Sequence, residues 1–149
     1  MKVKEIMKKA VISLSPDLSA REGLDMLLRR RISGLPVVDK KGRLKGMFTE
    51  KDFLRYILPS YLDKVGEFRY EDNPKYIKQK ISRLDKIKLS DIMRKEVVTV
   101  EEGFTLSEVA RIMLTQKVRR IPVTSREEVV VGMVAREDIV RALLRKEKK

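Results

Sequence analysis

The chain contains no cysteine and no histidine. Without cysteine there is neither a disulfide framework nor thiolate chemistry. Without histidine the commonest general base and the commonest metal ligand are both missing. Catalysis would have to rest on carboxylates, lysines or hydroxyls. Asn and Gln together occur three times, at Asn73, Gln79 and Gln116, against 38% charged residues. A balance so poor in thermolabile types predicts a thermophilic source. Long apolar runs are also missing: the longest, Val129 to Ala135, is far too short to span a bilayer. The opening Met1–Lys9 has no apolar stretch of the secretory kind. These absences predict a cytoplasmic protein without membrane insertion, holding no metal and no cofactor, and not an enzyme.

What is present is 149 residues, enough for one compact domain or two very small ones sharing a core, with 42% apolar residues to build it. The net charge is +13 and the isoelectric point near 10. Such a balance calls for an anionic partner, with nucleic acid, phosphate ligands and membrane headgroups all compatible, or for a tolerated basic surface. Basic residues cluster locally at Arg29–Arg31, at Arg119-Arg120 and in the tail from Arg145 to Lys149.

The chain repeats itself. A shift of 86 positions aligns Ile6–Leu58 with Ile92–Leu144 without a gap, and 13 of the 53 pairs are identical, Met7/Met93, Pro36/Pro122, Gly46/Gly132, Asp52/Asp138 and Arg55/Arg141 among them. Each copy starts with a β-rich run, Val11–Leu14 or Val97–Val100. A helix follows, opened by the capping boxes Ser19-x-x-Glu22 and Thr105-x-x-Glu108. Its apolar face is Ala20, Leu24, Leu27 and Leu28 in one copy and Leu106, Ala110, Met113 and Leu114 in the other. Strands are expected at Leu35–Val38 and Leu44–Phe48, and again at Ile121–Val123 and Val129–Val134, with last helices from near Glu50 and Arg136. The fold class is therefore α/β (α+β), two β-α-β-β-α units in one compact module: residues 1–58, a partly helical connection 59–90, and 91–149. In the connection Pro59 ends a helix, Asn73-Pro74 marks a turn, and Ile77, Ile81, Leu84 and Ile87 form a helical stripe.

These residues resemble a known family, the cystathionine-beta-synthase (CBS) domain pair. The likeness covers nearly the whole chain. It rests on Ile6-Met7 and Ile92-Met93, on Leu35–Asp39 and Arg119–Val123, and on Gly46–Asp52 and Gly132–Asp138. It implies two units about a pseudo-twofold axis (a Bateman-type module), with clefts between them that take adenosyl ligands such as AMP, ADP, ATP or S-adenosylmethionine, and a homodimer.

Gly46-x-x-Thr49-x-x-Asp52 closes a strand and opens a helix. Such a turn presents backbone N–H groups and the positive end of a helix dipole to phosphate. Asp52 could accept both hydroxyls of a ribose, and the Thr49 hydroxyl could serve phosphate or ribose. Thr-x-x-Asp is equally a capping arrangement. The second copy keeps Gly132 and Asp138 but has Ala135 in place of the threonine, and so is expected to bind more weakly. In the clefts the resemblance implies, Met47, Thr49, Lys51 and Asp52 face Val118, Arg119 and Arg120, whose guanidinium groups suit phosphate. The second, weaker site is Met133, Arg136 and Asp138 with Ser15, Pro16, Ile32 and Ser33. Arg119 and Arg120 alone would read as solvated charge, and Met47 and Met133 as ordinary core. The expected function is a regulatory module that binds an adenine nucleotide and signals to a separate protein. The alternatives are a basic nucleic-acid-binding protein and a sensor of S-adenosylmethionine.

Overall fold

The computed structural model describes residues 1–58 and 74–147; the expected helix end at Pro59, the turn residue Asn73, and Lys148 and Lys149 of the basic tail lie outside them. Helices α1 (Ala20–Arg30) and α2 (Glu50–Ile57) flank strands β1 (Gly34–Val38) and β2 (Leu44–Thr49). Helices α3 (Pro74–Ser82) and α4 (Leu89–Ile92) lead to β3 (Val100–Glu101), α5 (Leu106–Gln116), β4 (Arg120–Thr124), β5 (Val130–Ala135) and α6 (Arg136–Glu147). The mixed α+β order and the duplication are those expected.

Local chemistry explains the boundaries. The Ser19 hydroxyl accepts the Glu22 N–H at 3.1 Å at the start of α1. At α5 the box closes both ways: Thr105 accepts the Glu108 N–H, and the Glu108 carboxylate accepts from the Thr105 N–H. Both helices end on a left-handed residue, Arg31 (φ 54°) and Lys117 (φ 55°), which occupy equivalent positions. The turn after β1 needs the same conformation at Gly42 (φ 81°).

The chain divides into two compact units that cut across the repeats: an α1/α2 unit of residues 13–37 and 45–95, and an α5/α6 unit of residues 1–12, 38–44 and 96–149. In the α5/α6 unit, β3 pairs parallel with β4 and β4 antiparallel with β5, with a register shift between Val123 and Thr124. Its core is Val3, Val100, Val109, Met113, Ile121, Val123, Val134 and Ile139. Val3 belongs there because the first residues of the chain pack on this unit: Val3 donates to the Phe104 carbonyl, Leu106 to that of Met1, and Lys8 and Met133 bond each other in both directions.

The α1/α2 unit is built alike with the corresponding later segment. Leu89 donates to the Leu18 carbonyl, Ala20 to that of Ile87, and Met47 and Arg94 bond each other both ways at 2.9 Å. Every position here is 86 from its counterpart, so the leading segment of each repeat docks on the body of the other. The glycines that allow this approach are Gly46 and Gly132. A Cβ on Gly46 would stand 2.6 Å from the Arg94 carbonyl and 2.8 Å from the Met93 sulfur; one on Gly132 would stand 2.5 Å from the Met7 sulfur.

Three expectations need correction. The run Val11–Leu14 is not a full strand but a single parallel bridge, Leu14 to Val37; the Leu14 N–H uses the Pro36 carbonyl, and Pro36 has no N–H to return. The stripe from Ile77 to Ile87 is not one helix. α3 stops at Ser82, and beyond it the Leu84 and Ile87 carbonyls accept the first amides of α1, from Arg21 and Ala20. The helical spacing puts Leu28 and Leu114 on apolar faces, yet they are 61% and 73% exposed. Leu27 and Met113 beside them take the core positions.

Candidate functional site

In the α1/α2 unit, β2 hands over directly to α2 at Thr49, the N-cap. Asp52 Oδ2 accepts the Thr49 N–H at 2.8 Å and the Thr49 hydroxyl at 3.1 Å, while Thr49 Oγ1 accepts the Asp52 N–H at 3.4 Å. Asp52 Oδ1 accepts from Arg55 Nη1 at 3.1 Å. The Asp52 side chain is 2% exposed. The capping arrangement is thus present, and the hydroxyl's one proton is committed to Asp52.

Met47 is buried, with its backbone tied to Arg94, and Lys51 is exposed. The same unit holds the corner before β1: Ile32 half-buried, Ser33 exposed, and the Ser33 carbonyl accepting the Glu50 N–H at 3.0 Å. Gly34 belongs to this arrangement, since a Cβ there would lie 2.7 Å from the Thr49 methyl. Ser15 and Pro16 lie in this unit too; the Ser15 hydroxyl accepts the Asp17 N–H, and the Pro16 carbonyl accepts that of Ser90.

The α5/α6 unit repeats the corner with different side chains. Asp138 Oδ2 accepts the Ala135 N–H at 2.8 Å, and its side chain is 8% exposed. Arg141 Nη1 stands 3.9 Å from Asp138 Oδ1, and Arg141 Nη2 bonds Glu137 Oε2 at 3.4 Å. Met133 is half-buried and Arg136 exposed. Arg119 and Arg120 are exposed, Val118 half-buried, and the Arg119 carbonyl accepts the Arg136 N–H at 3.0 Å. Each unit therefore joins a helix-to-strand corner to its own aspartate turn by one backbone bond. The uncharged Ser33 corner adjoins Thr49/Asp52, and the arginine corner adjoins Ala135/Asp138. Arg120 stands directly across from Ala135 in the β4–β5 ladder. Gly34 with Thr49 has given way to Arg120 with Ala135.

Arg55 and Arg141 are functional candidates outside the expected set. Their identity at the 86-residue offset, three positions after each aspartate, is the signal that marks them. A groove of about 300 Å³ lined by Met1, Thr105, Leu106, Ser107, Ala142 and Leu143 contains none of the expected residues and no carboxylate side chain. Among the described residues no cluster of three Asp or Glu could hold a metal ion. No helix among them is long and apolar enough to cross a membrane.

A family model for the CBS domain matches the chain twice, over residues 3–59 and 89–145. The chain belongs to the CBS domain family. It is 28% identical to an uncharacterized protein of Methanocaldococcus jannaschii over 97% of this chain and 92% of that one. CBSX2 of Arabidopsis thaliana, solved in complex with AMP, is 25% identical with a TM-score of 0.74, 98% of each chain being covered. The CBS domain pair of protein MJ0100, solved with 5′-methylthioadenosine and S-adenosyl-L-methionine, is 27% identical with a TM-score of 0.68, again over 98% of each. Both CBS repeats here keep the glycine, the buried aspartate and the arginine after it.

Proposed function

We propose that this CBS pair is a regulatory module that binds an adenine nucleotide and passes its occupancy to a separate protein in the cytoplasm. The observation that carries the reading is a nearly buried aspartate at a strand-to-helix turn in each unit, in a chain similar over its length to CBS pairs solved with AMP and with other adenosyl compounds. The residues proposed to serve one ligand are Met47, Thr49, Lys51, Asp52, Val118, Arg119 and Arg120. Those proposed for a second are Met133, Arg136 and Asp138 with Ser15, Pro16, Ile32 and Ser33. Arg119 and Arg120 supply charge for phosphate. The net charge of +13 favours a second reading, nucleic-acid binding.

Calorimetric titration with AMP, ADP, ATP, S-adenosylmethionine, adenosine and duplex DNA at ~0.15 M salt separates these. Saturable binding of the nucleotides, AMP above adenosine, is the expected result. Binding of DNA with none of the adenosyl compounds overturns it.

The module is proposed to act as a homodimer. Leu28, Leu54 and Leu58 are exposed, and so are their counterparts Leu114, Val140 and Leu144. The same apolar positions left open in both repeats suit a self-complementary contact. A monomer mass by light scattering at micromolar concentration removes this part of the reading.

A further inference from the structure

We propose that the groove beside Met1 and Leu143 in the α5/α6 unit receives an acidic, amphipathic helix of a separate protein. The equivalent groove of the α1/α2 unit is already filled by a helix of this chain. At the 86-residue offset Met1 corresponds to Ile87, Leu106 and Ser107 to Ala20 and Arg21, and Ala142 and Leu143 to Tyr56 and Ile57. There α3 packs on α2, and the residues after α3 run over the start of α1. Leu84 is only 2% exposed, and its carbonyl accepts the Arg21 N–H at 3.2 Å. The Ile87 carbonyl accepts the Ala20 N–H at 2.7 Å.

Only the last of these contacts recurs in the α5/α6 unit, where the Met1 carbonyl accepts the Leu106 N–H at 3.2 Å. Among the described residues nothing takes the place of Leu84. The Ser107 N–H meets no acceptor there, and a groove of about 300 Å³ stays open. Leu143 is 50% exposed where Ile57 is half-buried. An open first-turn amide beside an apolar groove is the complement of a helix end that carries a leucine and a free carbonyl.

A second copy of α3 does not fit this groove. In its own place that segment is held by three side-chain contacts: Tyr56 to the Lys80 carbonyl at 3.0 Å, Arg21 to the Ile81 carbonyl at 3.4 Å, and Arg21 to Asp85 at 3.0 Å. With Ala142 for Tyr56 and Ser107 for Arg21, none of the three can form. Ala142 instead leaves the room of a phenol ring, which suits a larger apolar side chain on the occupant. The sign of its charge follows from the surroundings. The lining has no carboxylate side chain, and the start of α5 carries partial positive charge. Lys2 bridges to Thr105 at that helix end, while the Glu108 carboxylate is turned back onto the Thr105 N–H and hydroxyl. α3 brings Lys75, Lys78 and Lys80, the wrong sign for this place.

Fluorescence anisotropy with a labelled synthetic helix as long as segment 74–87 tests the site on the full chain. The probe carries one leucine stripe, glutamates elsewhere, and Leu-Glu at its end; its partners are a scramble of the same composition and a version with lysines for glutamates. The acidic amphipathic probe is expected to saturate, with both others at least about tenfold weaker, and to slow amide exchange at Ser107 about fivefold. Leu143→Ser is expected to weaken it about fivefold at an unchanged melting temperature, whereas Leu114→Ser, further along α5, leaves it unchanged. Equal binding of the scramble, or equal effects of Leu143→Ser and Leu114→Ser, overturns the site, since charge alone then accounts for the binding. No binding of the acidic probe, with a lower mass of Leu143→Ser by light scattering, overturns it in favour of a second copy as occupant. The nucleotide reading is untouched by any of these results, and the groove does not depend on it.

Discussion

Placing a methyl group on Gly46 tests the exchange of leading segments that organises this fold. The Cβ of Gly46→Ala would stand 2.6 Å from the Arg94 carbonyl oxygen and 2.8 Å from the Met93 sulfur. The methionine can swing aside, but the carbonyl is backbone, and it is held by two reciprocal bonds between Met47 and Arg94 at 2.9 Å. Moving it weakens both, at about 0.5–1.5 kcal/mol each. Forcing an extra methyl into packed surroundings costs about 1–3 kcal/mol by independent measure, so the two routes agree. Lower entropy of the unfolded chain returns about 0.4–1 kcal/mol. The net expectation is a loss of about 1.3 kcal/mol, or roughly 3–5 °C in melting temperature for a chain of this length. The assay is urea unfolding followed by circular dichroism, with Gly103→Ala as control because a Cβ there meets nothing within 4 Å. Gly46→Ala within about 0.5 kcal/mol of the unmodified protein, the range of ordinary surface changes, would refute the close docking of residues 93–94 on this strand.

Two further outcomes follow from local electrostatics and packing. Bonds from the Thr105 N–H and then its hydroxyl hold the Glu108 carboxyl below its ordinary value; its contribution is therefore full above about pH 4.5 and lost as pH falls toward the lowered value, so Glu108→Gln should flatten the acid side of a urea-midpoint profile and leave pH 7 to 9 unchanged. Tyr56 donates its hydroxyl to the Lys80 carbonyl at 3.0 Å and carries the Lys80 ammonium 4.8 Å from its ring, and burial raises its pKa. Its stabilising effect is complete below pH 10 and lost as pH rises through the raised value. Tyr56→Phe should remove that alkaline loss and speed amide exchange in α3 by about five- to tenfold, the equivalent of one hydrogen bond of about 1 kcal/mol. Unchanged exchange in residues 74–82 would show that α3 is held by other contacts.

Much of this molecule is legible in its sequence because the relevant rules are local. Helix starts follow from Ser19 and Thr105 with a glutamate three residues on, and the strand-to-helix turns follow from Gly46 and Gly132 followed by aspartates. The duplication is legible too, and the resemblance to the CBS family lies in the motifs that recur at that one offset, Gly46–Asp52 and Gly132–Asp138 among them. Periodicity misleads where two adjacent leucines compete for one face: Leu27 and Leu28 both suit an apolar stripe, and a helix turns only about 100° per residue. Which of them is covered depends on what packs above, and there Leu28 and Leu114 stay exposed.

The site divides in the same way. The sequence alone determined the repeat, the fold class, the aspartates at the two turns and the loss of one hydroxyl at Ala135. What each hydrogen-bond donor does is settled by the closed fold. The Thr49 proton goes to Asp52, Arg55 to the same carboxylate, and Arg141 to Glu137 instead of Asp138. It also decided that residues 1–8 and 87–94 complete units other than those their repeats suggest. The physical reason is that a pattern within a few turns fixes which residue types can cap, turn or face inward. Which carbonyl an amide reaches far along the chain, and which of two carboxylates captures a flexible guanidinium, is set by distances that exist only once the chain has closed on itself.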